Sequence, residues 1–268
     1  MSRYARMFTN LAKKKQGAFI PFVVLFDPDR ESSKEIILTL IKSGADALEL
    51  GIAFSDPLAD GPVIQKAGLR ALNNRSTVRD ALGLVKEIRE INPDIPIGIL
   101  TYANLVTRNS IANFYKSCQE AGIDSALVAD VPLNEFKPFY EQACAHNIAP
   151  VLIAPPNLPS ERSAQIAQWC KGYTYVVTRT GVTGANESVN LAHKELLQAL
   201  KNHKAPPAIF GFGISKPEHV KKALKEGALG VISGSKVVSI IEENLGNKNQ
   251  MLKELSLFCQ SMKQATFL

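Results

Sequence analysis

Eight short apolar runs recur along the 268 residues, each followed by a stretch of helical periodicity, with no break in composition between them. They fall at 18–25, 47–52, 95–102, 124–129, 149–154, 173–178, 207–212 and 229–233. Runs of Val, Ile, Leu and Ala at this length read as strands covered on both faces, a property of parallel sheets. Helical patterns intervene at 31–43, 65–72, 78–91, 110–121, 134–146 and 161–170, and a short one starts at Lys236. The opening MSRYARMFTNLAKKK is amphipathic and lacks a signal peptide's apolar centre, so it reads as one further helix. Strand–helix alternation repeated eight times predicts a single α/β domain over residues 1–268: a (β/α)8, or TIM, barrel. An open doubly wound sheet usually has fewer strands and a Gly-rich first turn. Here the first turn is Leu25-Phe26-Asp27-Pro28, with no GxGxxG, which argues against a dinucleotide site.

In such barrels the chemistry lies just past the C-terminal ends of the strands. The second run, Ala47-Leu48-Glu49-Leu50-Gly51-Ile52, carries a carboxylate in its middle, and buried acids are costly unless paired or kept for chemistry. The loop that follows, Phe54-Ser55-Asp56-Pro57-Leu58-Ala59-Asp60-Gly61-Pro62, adds two more acids. Acid–base catalysis on a barrel rim is one reading of Glu49 and Asp60. The other is structural: an Arg or Lys partner for Glu49, and turn or N-cap roles for Asp56 and Asp60.

Three glycine clusters follow consecutive late strands. They are Arg179-Thr180-Gly181-Val182-Thr183-Gly184, then Gly211-Phe212-Gly213-Ile214-Ser215, then Ser233-Gly234-Ser235 before the short helix. Small residues let backbone N–H groups approach a phosphate, and a helix N-terminus adds a favourable dipole. The first cluster opens a polar stretch running to Asn190 that reads as a mobile lid.

Elimination narrows the reaction. No two of the four histidines are spaced as ligands, so a catalytic metal is not expected. No lysine sits in a strand or just past its C-terminal end, which disfavours Schiff-base chemistry. The four cysteines form no CxxC pair and suit reduced thiols in the cytoplasm. The net charge of +6 is spread over helices without interleaved aromatic residues, a pattern unlike a nucleic-acid surface but favourable to an anionic metabolite. No run of eighteen apolar residues suggests a membrane span. Carboxylates, hydroxyls (Tyr102, Tyr175, Thr183), apolar side chains and phosphate loops remain. They suit proton transfer on a phosphorylated substrate that supplies its own electron sink.

The strings ALELGIAFSDPLADGPVIQKA, TYANLV, VADVP, YVVTRTGVTGA, GFGIS and ISGS occur in order along nearly the full chain. In these the sequence resembles the tryptophan synthase α subunit family. The resemblance implies retro-aldol cleavage of indole-3-glycerol phosphate to indole and glyceraldehyde 3-phosphate. It implies no cofactor in this chain; pyridoxal phosphate is expected only in a partner β subunit, within an α2β2 complex. By the resemblance, Glu49 moves the protons and Asp60 holds the indole N–H. Phe22, Leu100, Leu127, Ala129, Ile153 and Phe212 match the apolar walls, and Tyr175 an active-site phenol. Gly184, Gly213, Gly234 and Ser235 match phosphate contacts. A hydroxyl on Thr183 donating to Asp60 would close the lid, and a β subunit docking near Asp56 and Pro57 would favour that closed state. The chain departs from frequent family residues at Val24 (Thr), Phe26 (Gly), Ala53 (Pro), and Thr178 and Thr180 (Ser). Two other readings stand beside catalysis with a partner: a non-catalytic barrel kept as an allosteric subunit, and an indole-producing lyase that works alone. Indole release with and without a β subunit separates the three.

Overall fold

The computed structural model describes residues 1–156, 158–177 and 186–267. In chain order the elements are α1 (Arg3–Lys13), β1 (Ala18–Val24), α2 (Arg30–Lys42), β2 (Leu48–Gly51), α3 (Pro62–Asn73), α4 (Val78–Ile91) and β3 (Ile97–Thr101). Then follow α5 (Ala103–Thr107), α6 (Ile111–Glu120), β4 (Ser125–Val128), α7 (Lys137–Ala145), β5 (Ala149–Pro150), β6 (Ile153–Ala154), α8 (Ser160–Trp169) and β7 (Thr174–Val177). The chain closes with α9 (Asn186–Asn202), β8 (Ala208–Gly211), α10 (Pro217–Lys225), β9 (Gly230–Ser233), α11 (Ser235–Glu243) and α12 (Lys248–Gln264).

All strand pairs are parallel, in the order β5-β4-β3-β2-β1-β9-β8-β7-β6. The expected fifth strand is divided into β5 and β6, and the two pieces join the ends of that order. The Ala149 and Val151 N–H groups donate to Asp124 and Ala126 on the β4 side. On the other side, the Lys171 and Tyr175 N–H groups donate to the Pro150 and Leu152 carbonyls. Pro150 has no N–H to give on that second side, so the ladder is interrupted where the sequence predicts one continuous strand. The ring is nevertheless closed, as a (β/α)8 barrel.

The elements form for local reasons. Tyr4, Met7 and Leu11 make the buried stripe of α1, and Ser2 caps it by accepting from the Ala5 N–H. A reciprocal capping box between Thr77 and Asp80 starts α4. Helix α3 begins at Pro62, three residues before the periodicity suggests, because proline suits the first helical turn. Helix α5 is not anticipated by the sequence reading; α12 packs on α2 and buries Met251, Leu255, Cys259 and Met262. Helix α9 starts at Asn186, so the last part of the expected lid, to Asn190, is helical. At the N-terminal end of the barrel, Asp124 accepts from Arg3 at 2.9 Å, Arg89 at 2.7 Å and the Ile97 N–H at 2.9 Å, fastening α1 beneath the strands. Among the described residues no helix is long and apolar enough to cross a membrane.

Candidate active site

Glu49 is buried at the middle of β2, in register with Phe22 of β1 on one side and Gly98 of β3 on the other. Gly98 makes room for it. A Cβ there would stand 2.7 Å from Ser125 Oγ, 3.0 Å from the Tyr4 hydroxyl and 3.2 Å from Glu49 Oε2. The Tyr173 hydroxyl donates to Glu49 Oε2, while Oε1 is buried with no hydrogen-bond partner among the described residues. No Arg or Lys pairs with Glu49 among the described ion pairs, so the structural reading of this acid is corrected: a phenol meets it. Burial pushes the Glu49 carboxyl from its ordinary 4.5 up to about 7, with the Tyr173 hydrogen bond working against the rise. Tyr173 was not among the candidate residues. Its signal was present: Tyr173 and Tyr175 are two apart on one run and therefore share a face of the sheet.

Asp60 lies on the loop between β2 and α3. Its backbone N–H donates to the Pro57 carbonyl at 3.0 Å, and the Gln65 amide donates to the Asp60 carbonyl at 2.9 Å. The N-cap of α3 is Gly61 with no side-chain cap, so the Asp60 carboxylate is not spent on capping. Burial raises its pKa and the Tyr102 hydroxyl opposes that rise. Tyr102 also accepts from the Ala59 N–H at 3.3 Å and stacks on Phe54, ring centroids 5.2 Å apart. One tyrosine at the end of β3 thus holds the Asp60 loop at two points. Further out on this loop Asp56 is exposed, Pro57 half-buried and Leu58 92% exposed.

The apolar candidates fall on neighbouring strands. Leu100 is in register with Leu127, and Ile153 with Tyr175. The Tyr175 ring meets Phe212 edge-on with centroids 6.1 Å apart. Gly211 is required by this arrangement, because a Cβ would fall 2.1 Å from the Tyr175 oxygen. Leu127 and Tyr175 are buried, Leu100, Ala129 and Ile153 half-buried, and Phe212 exposed. Exposure thus rises from the packed strand residues to Phe212, just past β8.

Beyond β8, Phe212 and Gly213 both take left-handed backbone angles, with φ of 65° and 72°. Only glycine adopts this at no steric cost, so Phe212 is held there by the loop. The Ser233 hydroxyl at the end of β9 donates to the Ile214 carbonyl at 2.6 Å and ties the two late loops together. Gly234 is the N-cap of α11 and contributes no side-chain cap, while Ser235 opens the helix and is exposed. Among the described residues the first-turn N–H groups of α11 thus have no N-cap side chain accepting from them, which leaves them available to an anion. Thr183 and Gly184, with Thr178 and Thr180, lie outside the described residues. Among the described residues no three His, Cys, Asp or Glu side chains gather as a metal site.

The chain as a whole is similar to known proteins. The tryptophan synthase alpha chain family profile matches residues 8–267. The tryptophan synthase alpha chain of Proteus mirabilis is 54% identical over 266 residues, covering 99% of both chains. The crystal structure of the alpha subunit from Legionella pneumophila superposes with a TM-score of 0.90 at 29% identity, over 99% of this chain and 98% of that one. A chain of the tryptophan synthase a2b2 complex of Pyrococcus furiosus superposes at 0.83 with 38% identity, over 92% of this chain and 98% of that one. A profile match over nearly the whole length, with 54% identity to a full-length relative, establishes that this chain belongs to the tryptophan synthase alpha chain family.

Proposed function

We propose that this chain cleaves indole-3-glycerol phosphate to indole and glyceraldehyde 3-phosphate as the α subunit of an α2β2 tryptophan synthase. The observation that carries the reading is Glu49: a buried carboxyl raised to about 7, with one oxygen held by a phenol and the other unpartnered. Such a group exists in both protonation states near neutral pH, as an acid that later acts as a base must. Protonated Glu49 gives its proton to indole C3, and the ring becomes an iminium cation. The resulting carboxylate takes the proton of the adjacent side-chain hydroxyl. The C–C bond then breaks: its electron pair restores the indole, the carbinol becomes an aldehyde, and Glu49 ends protonated as it began. Asp60 accepts the indole N–H and stabilises the positive charge on the ring.

Phe22, Leu100, Leu127, Ala129, Ile153, Tyr175 and Phe212 form the walls of the indole site in this reading. Gly213, Gly234 and Ser235 take the phosphate at the N-terminus of α11, joined by Gly184. Thr183 donates to Asp60 when the lid closes. The β subunit docks beside Asp56 and Pro57, and two features support that placement. Leu58 projects into solvent, and a cleft of about 1070 Å³ runs from Ala53 and Phe54 past Arg79 and Lys86 to Arg108 and Asn109. The Pyrococcus furiosus relative was solved as an a2b2 complex. The chain needs no cofactor of its own, the pyridoxal phosphate belonging to the β subunit, and it works in the cytoplasm as one domain. Indole formation from indole-3-glycerol phosphate, measured with and without a β subunit, tests the reading. We expect slow cleavage by the chain alone and marked activation by the partner. No indole under either condition would leave a non-catalytic barrel, and full activity alone would make it a stand-alone lyase.

A further inference from the structure

At Asp60 the barrel mouth holds a small crevice that shares Phe22, Leu100 and Asp60 with the indole site but adds residues the unsubstituted reaction leaves without a role. Its walls are Phe22, Val24, Ala53, Ile64 and Leu100, with Gly68 of α3 at its back and Asp60 at its side. The cavity volume is about 10 Å³, the size of one water, and the open space around a Cβ placed on Gly68 extends it to the room a methyl group needs. Among the described residues Asp60 is the only charged side chain on it, so it offers a water few partners.

Gly68 is the informative residue. It is buried in the interior of α3, where glycine is a poor helix former. No backbone conformation requires it, since its φ is not positive, and no neighbour does either: a Cβ there would meet nothing within 4 Å. Gly98 and Gly211, by contrast, are each held by side chains that a Cβ would strike. The space over Gly68 opens beside Asp60, and Val24 and Ala53 complete it with small apolar surfaces.

We propose that this crevice is a specificity pocket for a methyl or halogen substituent on the benzo ring of the substrate, and that Gly68 determines its depth. The assignment rests on the retro-aldol reading above, in which Asp60 takes the indole N–H. The ring carbon whose substituent projects on the same edge as that N–H is C7. A small group at C7 therefore extends past Asp60 towards Gly68, whereas one at C5 projects from another edge of the ring.

The test compares kcat/KM for unsubstituted, 7-methyl and 5-methyl indole-3-glycerol phosphate in the α2β2 complex of wild type, Gly68→Ala and Gly68→Val. The wild type is expected to cleave the 7-methyl substrate within about threefold of the parent. Filling the crevice by Gly68→Val should lower the ratio of 7-methyl to parent by about tenfold or more, the effect of about one misfit carbon in an apolar pocket. Gly68→Ala should lower it in the same direction by less, and the 5-methyl ratio should not move. The alanine variant meets no neighbour and improves helix propensity, so folding does not obscure the result. Wild-type discrimination against the 7-methyl substrate by more than about tenfold would overturn the proposal, as would equal losses on all three substrates. If the parent is not cleaved by any form, the retro-aldol reading fails, and this assignment with it. If the parent is cleaved but the 7-methyl ratio does not respond to Gly68, only the pocket fails.

Discussion

Replacing Glu49 by Gln should make the protein less active and should improve its stability relative to wild type as the pH rises from 5 to 8. Burial raises the folded-state carboxyl to about 7 from its ordinary 4.5. Folding therefore favours the protonated form. That contribution is fully present below about pH 4.5 and is lost as the pH rises through about 7. The difference between those two values corresponds to about 3 kcal/mol of wild-type stability lost by pH 8, against about 1 kcal/mol at pH 5. Glutamine keeps the shape, still accepts from Tyr173, and does not titrate. Its buried NH₂ takes the place of the unpartnered Oε1 and costs about 1–3 kcal/mol, but equally at both pH values. The stability of Glu49→Gln relative to wild type should thus improve by about 2 kcal/mol between pH 5 and pH 8. Urea unfolding followed by circular dichroism at the two pH values measures this, with matched m-values as the check on comparable unfolding. Indole release should fall by about 10²–10⁴. A relative stability equal at the two pH values, within about 0.5 kcal/mol, would refute the argument that Glu49 is desolvated and raised.

The Tyr173 hydrogen bond holds the Glu49 pKa down, so Tyr173→Phe should move the Glu49-dependent limb of the kcat/KM pH profile upward; an unmoved limb would separate Tyr173 from Glu49. Asp60→Asn should reduce kcat by about 10²–10³ while the thermal melt is retained, since the carboxylate caps no helix; a change confined to KM would mean that Asp60 does not act on the transition state. Gly234→Asp puts a carboxylate at the N-cap of α11, where the helix tolerates it. A Cβ there stands 3.2 Å from Phe22 Cδ1, a contact that a small shift relieves. KM should rise roughly tenfold from charge repulsion, and an unchanged KM would place the phosphate elsewhere.

The alternation of apolar runs and helices is a local pattern, carried by residues a few positions apart, and it sufficed to read the barrel. It also sufficed to pick out Glu49, because a carboxylate in a buried run is anomalous wherever the strand ends up. The demand at Gly213 was legible for the same reason, as a left-handed turn that glycine suits. The division of strand five depends on which side of the ladder Pro150 faces, and that side is set by neighbours far away in sequence. Whether Glu49 met a cation or a phenol was equally undecided, since Tyr173 lies 124 residues further on. The tie from Ser233 to Ile214 and the open space over Gly68 likewise arise only when separate strands and helices are brought to one rim. Sequence periodicity states which face of an element is covered. Closing eight strands into a ring then decides which residues share that cover, and so which atoms touch.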